Sequence, residues 1–241
     1  MYAVRASGIV KDFPAGEGLA RVLHGIDMDL PFGQLVMLVG PSGCGKTTLI
    51  SILTGILSAS EGEVDVLGQR LSALKDKDKA HFRRKNLGFI FQQYNLLPAL
   101  SAAENAAVPL VCAGMPLEKA AGKAAEVLAS FGMADSVHKL PRQLSGGQQQ
   151  RVAIARALVH DPPVVVCDEP TAALDAEAGQ AVMDILKNKA AGKDRAVIVV
   201  SHDNRVFHYA DRILRMNDGR IVGDETGRSA AAAPCAEGVA S

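Results

Sequence analysis

The sequence lacks several features that would place it at once in a class. It has no long apolar run: its longest uninterrupted stretches, such as Leu35 to Val39 and Val164 to Cys167, span only a few residues, far short of the roughly 20 that cross a bilayer. The chain therefore cannot form a channel by itself. It has no excess of one charge, because 26 Lys+Arg balance 26 Asp+Glu, so no overall pull toward nucleic acid or anionic lipid arises and no nucleic-acid partner is expected. Cysteine is sparse, and Cys44, Cys112, Cys167 and Cys235 have neither metal-ligand spacing nor the pattern of a disulfide framework. The start, Met-Tyr-Ala-Val-Arg, has no basic region followed by an apolar stretch, as a secretory leader would. These absences predict a protein of the reducing cytosol. No internal repeat of roughly 20 to 50 residues and no long heptad run is visible, which argues against solenoids and coiled-coil arms.

What is present, over 241 residues, suits one α/β domain with at most one inserted subdomain. Between Val22 and Leu30, Ile26, Met28 and Leu30 alternate with Asp27 and Asp29, the mark of a half-exposed antiparallel strand. Val4 to Phe13 is its expected partner. Three short runs, Leu35 to Val39, Val164 to Cys167 and Val197 to Val200, are apolar at every position, as parallel strands covered by helices on both faces are. From about residue 94 to 154 the chain turns Ala-rich, as in Glu118 to Phe131, with Pro98, Pro109, Pro116 and Pro141 as punctuation, which predicts an inserted helical subdomain. Residues 228–241 are mostly Ala, Gly and Ser and carry too little bulky apolar surface to pack, so a disordered tail is expected after a domain of residues 1–227.

Two glycine-rich turns carry the chemistry. Gly40-Pro41-Ser42-Gly43-Cys44-Gly45-Lys46-Thr47 follows an apolar run and precedes a helix-compatible stretch from Thr48 to Leu57, the context a phosphate-binding P-loop requires. Its glycines let backbone N–H groups turn toward phosphate oxygens, Lys46 reaches the terminal phosphates, and the Thr47 hydroxyl can ligate Mg²⁺. Thr48 continues the loop into the helix. The run Val164 to Cys167 ends in Asp168-Glu169, which puts two carboxylates at the carboxyl end of a strand, where such sheets bind ligands. Asp168 is the candidate Mg²⁺-side carboxylate and Glu169 the candidate general base. The second turn, Leu144-Ser145-Gly146-Gly147-Gln148, opens a helix with Val152, Ala155 and Leu158 on one face and offers another anion-binding helix start. One nucleotide needs one phosphate loop, so two such turns predict a head-to-tail dimer in which the second completes a neighbour's site.

Leu144 to Gln148 resembles the signature motif of ABC transporter ATPases, and the P-loop, the Asp168-Glu169 pair and their order are similar to that family over roughly residues 3 to 223. The resemblance implies a P-loop NTPase (RecA-like) core with an N-terminal antiparallel β subdomain and an inserted α-helical subdomain. It also implies ATP and Mg²⁺ as ligands, a homodimer closed on nucleotide, and an integral membrane permease as partner. Gln92, after Gly88-Phe-Ile-Phe91, matches the Q-loop position, with Gln93 as an alternative; Asp175 matches the D-loop; His202 resembles the switch histidine. Phe13 stands at the usual place of the aromatic that stacks on adenine, where Tyr is commoner. Tyr94 to Pro98, with Leu96 and Leu97, falls where the family docks its permease.

Phe82 to Pro98 and Ala103-Glu-Asn105 look most similar to lipoprotein-releasing, macrolide-efflux and DevA-type exporters. The expected setting is then the cytoplasmic, inner face of a bacterial cell membrane, with a periplasmic adaptor as an indirect partner. An amino-acid-type importer ATPase and a non-transport ABC ATPase stay open as alternatives. An unrelated P-loop kinase would leave Leu144 to Gln148 without a task.

Overall fold

The computed structural model describes residues 1–16 and 18–226; the tail expected at 228–241 lies outside them. The alternating N-terminal stretch forms the first two strands of an antiparallel sheet, β1 (Tyr2–Ala15) and β2 (Gly18–Pro31). Ile26, Met28 and Leu30 face inward while Asp27 faces out, and Asp27 accepts the Gly8 N–H at 2.8 Å. Both strands run longer than the alternation suggests because register shifts, as between Ala6 and Ile9, break the period and let pairing continue. After β3 (Leu35–Val39) and α1 (Lys46–Leu53) the chain returns as β4 (Glu61–Val66) and β5 (Gln69–Arg70), completing the order β2-β1-β4-β5.

The rest supplies α2 (Asp76–Asn86), β6 (Leu87–Ile90), α3 (Ala102–Cys112), α4 (Leu117–Ser130), α5 (Gly146–Leu158), β7 (Val164–Asp168), α6 (Ala176–Ile185), β8 (Ala196–Ser201), β9 (Arg212–Asn217) and β10 (Arg220–Thr226). Six strands form the second sheet in the order β10-β9-β3-β8-β7-β6. Neighbours from β9 to β6 are parallel, and β10 closes one edge antiparallel. Runs apolar at every position need cover on both faces, and they have it. Leu35, Met37, Val165, Cys167, Val197 and Val199 pack into the helical layer, whereas Val36, Leu38, Val164, Val166, Ile198 and Val200 pack with Leu49 and Ile50 of α1 and with Ile9 and Ile26 of the first sheet. Period-two side chains thus join two cores through one sheet.

Small residues draw the helices together: Ala102, Ala103, Ala106 and Ala107 of α3, with Ala120 and Ala124 of α4, are all buried. α3 begins at a Ser101–Glu104 capping box, a local stop for the preceding loop. α5 runs on to Leu158, past residue 154. Among the described residues no helix is long and apolar enough to cross a membrane.

Candidate active site

Four parallel strands release their chains at one edge of the sheet. Val39 lies beside Ser201, Asp168 beside Val200 and Ile90 beside Cys167, so the loops that follow β3, β6, β7 and β8 emerge side by side. The first is Gly40 to Thr47. At Gly40 a Cβ would collide with the Met216 carbonyl oxygen, and at Gly45 the left-handed backbone, φ +99°, would strain any side chain. Gly45 delivers the chain into α1, whose first turn has no side-chain cap and no acidic residue. The amide end of that helix therefore stays positive and open to an anion. Lys46 is buried and spans the loop, donating to the carbonyls of Gly40 at 2.8 Å and Pro41 at 2.7 Å. Cys44, also buried, has its Sγ 3.8 Å from that ammonium. Pro41, Ser42, Gly43 and Thr47 face solvent, and Thr48 is half-buried.

The Thr47 hydroxyl meets the Asp168 carboxylate at 3.3 and 3.5 Å. Burial raises the Asp168 pKa above the usual carboxylate range, against the Thr47 hydrogen bond, with Glu169 adding to the rise and Lys46 opposing it. A cation beside this carboxylate would relieve that cost, and a hydroxyl with a carboxylate is the hard-oxygen donor set that suits Mg²⁺. Glu169 takes a left-handed backbone, φ +48°, costly for a side chain with a Cβ. Its N–H is held by the Val200 carbonyl at 3.0 Å. Its Oε1 lies 2.9 Å from His202 Nδ1, and the carboxylate is mostly covered while the imidazole is mostly exposed. A cleft of about 340 Å³ opens beside them, lined by Thr171, Ser201 and Asp203 among others.

Gln92 and Gln93 leave the same edge just past Ile90, both exposed, without a hydrogen bond to Asp168 or Glu169. Phe13 is half-buried on β1 opposite Ala20. Asp175 caps α6 by accepting the Ala178 N–H at 2.8 Å. The second glycine turn stands apart from the first. Leu144 is buried, and exposed Ser145 forms a capping box with Gln148, which accepts the Ser145 N–H at 3.0 Å. Gly146 faces the Tyr94 hydroxyl, and Gly147 faces Ala178 beyond the Asp175 turn. No hydrogen bond of this turn reaches residues 40–48, 168 or 169 among the described residues.

Two residues whose contacts the motifs do not reveal hold the segment after Gln92. Arg156 of α5 donates to the carbonyls of Asn95 at 2.6 Å and Tyr94 at 2.8 Å, and burial lowers its pKa. Fully buried Asn105 accepts the Leu97 N–H and donates to three carbonyls, those of Leu97, Leu100 and Ser101. A polar residue on an otherwise apolar helix face was the available signal. The segment is turned so that Leu96 packs on the helical core while Leu97 is half exposed.

A family model described as ABC transporter matches residues 23–172, which hold the phosphate loop, the second glycine turn and the Asp168-Glu169 pair. The chain belongs to the ABC transporter family. This ABC chain is 42% identical over 221 residues to the macrolide export ATP-binding/permease protein MacB of Psychrobacter arcticus, covering 92% of the chain and 33% of that protein. To MacB 1/2 of Paracoccus denitrificans it is 42% identical over 231 residues, covering 96% of the chain and 34% of the relative. It thus spans about a third of the length of the curated relatives it matches. Among solved structures, the dimeric ATP-binding cassette MJ0796, in a post-hydrolysis state with ADP and Pi, matches at TM-score 0.84 and 37% identity, covering 92% of this chain and 98% of that one. The fold is that of an ATP-binding cassette.

Proposed function

We propose that this ABC chain binds and hydrolyses ATP as a homodimer on the cytoplasmic face of a bacterial membrane, driving an exporter permease. The observation that carries the reading is convergence: an uncapped helix start with Lys46, the Thr47–Asp168 oxygen pair and the Glu169–His202 contact all lie at one sheet edge. The names of the relatives favour export over import.

Lys46 exchanges its bonds to Gly40 and Pro41 for phosphate oxygens, and the first amides of α1 take the rest of the phosphate charge. Thr47 and Asp168, with Gln92 alongside, would hold Mg²⁺, which when bound neutralises charge on the phosphates. Glu169 accepts the proton of the attacking water, and His202, in contact with that carboxylate, fixes its direction and faces the terminal phosphate. The Ser145 to Gln148 turn of the second copy closes the far side of the nucleotide, next to Asp175. Phe13 stacks on the base.

Phe91, Leu97 and Val111 are exposed, and a cleft of about 280 Å³ between α2, β6, α3 and α5 is lined by Phe89, Pro109, Arg84 and Arg156. That groove takes the permease, and a periplasmic adaptor would complete the exporter beyond it. The test is product analysis with Glu169→Gln. Wild type should release ADP and phosphate with no phosphorylated acceptor, and the variant should lose about 10² to 10⁴ in turnover while keeping its affinity for ATP. Normal turnover in the variant would remove Glu169 from its role.

A further inference from the structure

The phosphate loop accounts for the triphosphate but not for the base, whose expected platform, Phe13, is a single ring on an exposed strand end. That ring is not free on both sides. The Lys11 ammonium lies over one face, 5.0 Å from the centroid, as residues two apart on a strand share a side. The ammonium is itself fixed, donating to the Ser58 carbonyl oxygen at 2.9 Å. The chain around Ser58 is stitched to the same strand, with Ser60 N–H donating to the Val10 carbonyl at 2.8 Å and Asp12 N–H donating to Ser60 Oγ at 3.0 Å. Lys11 therefore ties the platform to the segment that follows α1, the helix whose other end opens the phosphate loop.

The platform also lies near that loop. Phe13 pairs with Ala20, and two residues on, the Val22 carbonyl oxygen stands 3.3 Å from the place a Gly45 Cβ would occupy. Although the pairing shifts register at Val22, two strand residues span at most about 7 Å, which leaves the backbone that carries Phe13 within a nucleoside's reach of the α1 start. An ammonium on one face of an aromatic ring is attracted by the negative π cloud and limits the ring's rotation, and a base stacks on the face that is left.

We propose that Lys11 is a positioning residue for the nucleotide, its ammonium braced on Ser58 and backing one face of Phe13 so that the other face is held ready for the base. The proposal rests on the reading of Phe13 as the base platform. Because Lys11 acts through the ring, its effect should appear only for ligands that carry a base, whereas a general electrostatic or folding role would affect any polyphosphate.

The test is calorimetric titration of the purified chain with ATP and, separately, with inorganic tripolyphosphate. Lys11→Met should weaken ATP by about two- to five-fold, the scale of an exposed cation–π contact, and leave tripolyphosphate unchanged. Lys11→Arg should restore ATP affinity, and Lys11→Met should add nothing in a Phe13→Ala background. Equal weakening of both ligands by Lys11→Met would overturn the proposal. So would a weakening by Phe13→Ala that Lys11→Met does not share, with the platform reading left standing. An unchanged ATP affinity in Phe13→Ala would bring down the platform reading and the proposal together.

Discussion

The two glycine turns each open a helix, but they cap it and are surrounded very differently. Gly40 to Thr47 is locked into its own chain: Gly40 lies against the Met216 carbonyl, Gly45 against Leu23, and Lys46 is buried across the loop. Its helix start has no side-chain cap, so the amides keep their capacity for a ligand. Leu144 to Gln148 is the reverse. Its helix start is satisfied locally by the Ser145–Gln148 box, its neighbours are Tyr94 and Ala178, and no Lys or acidic carboxylate of the first site bonds to it. We propose that the first loop, fixed by backbone contacts, serves its own chain's nucleotide, and that the second, with Ser145 exposed, serves that of another copy.

Substitutions can break that comparison. The larger effect is expected in the first loop: Gly40→Ala drives a Cβ into a backbone oxygen that cannot move aside, and should cost about 3 kcal/mol of stability, read as a fall in the denaturant midpoint. Gly147→Ala should stay within about 1 kcal/mol, because the tight 3.1 Å approach of its Cβ to Ala178 Cβ is offset by the roughly 1 kcal/mol that a helical position gains when Ala replaces Gly. Equal losses in the two variants would mean that both turns are structural. Ser145→Ala comes next, removing the capping box of α5 for about 1 kcal/mol in the same unfolding assay; no change would show the box to be idle.

The smallest effect concerns the far end of α5. Just beyond it His160 contacts the Leu87 carbonyl at 3.2 Å while its Nδ1 is buried without a partner among the described residues, and burial holds its pKa below the ordinary 6.5. The unfolded chain then takes up the proton first, so this residue removes stability as pH falls through 6.5. His160→Gln should flatten part of the acid limb of the melting temperature against pH. An unaltered slope would exclude it as a contributor.

Much of the fold could be read in advance because its signals are local. Leu35 to Val39, Val164 to Cys167 and Val197 to Val200 are apolar on both faces and sit at the centre of the parallel sheet, and Ile26, Met28 and Leu30 show the buried side of β2 directly. α2 gave no such sign: Asp76 to Asn86 buries no residue, so no apolar stripe marks it. At the site, the residue types after each strand could be listed from the chain, but their contacts could not. The left-handed turn at Glu169, its bond to His202 from 33 residues away, and the hold of Arg156 on Tyr94 and Asn95 all depend on tertiary placement, which no local pattern encodes.

The division of labour between the turns has one direct test, made by mixing two damaged chains. In a Glu169→Gln background that retains nucleotide, Lys46→Ala spoils the first turn of one chain and Ser145→Arg the second turn of the other. If each nucleotide lies between the first turn of one copy and the second turn of its partner, a mixed dimer has one site with both defects and one intact site. The mixture should then trap ATP in dimers on size exclusion, while neither variant does so alone. Failure of the mixture to trap any ATP, with both chains folded, would mean that the two turns act within a single chain.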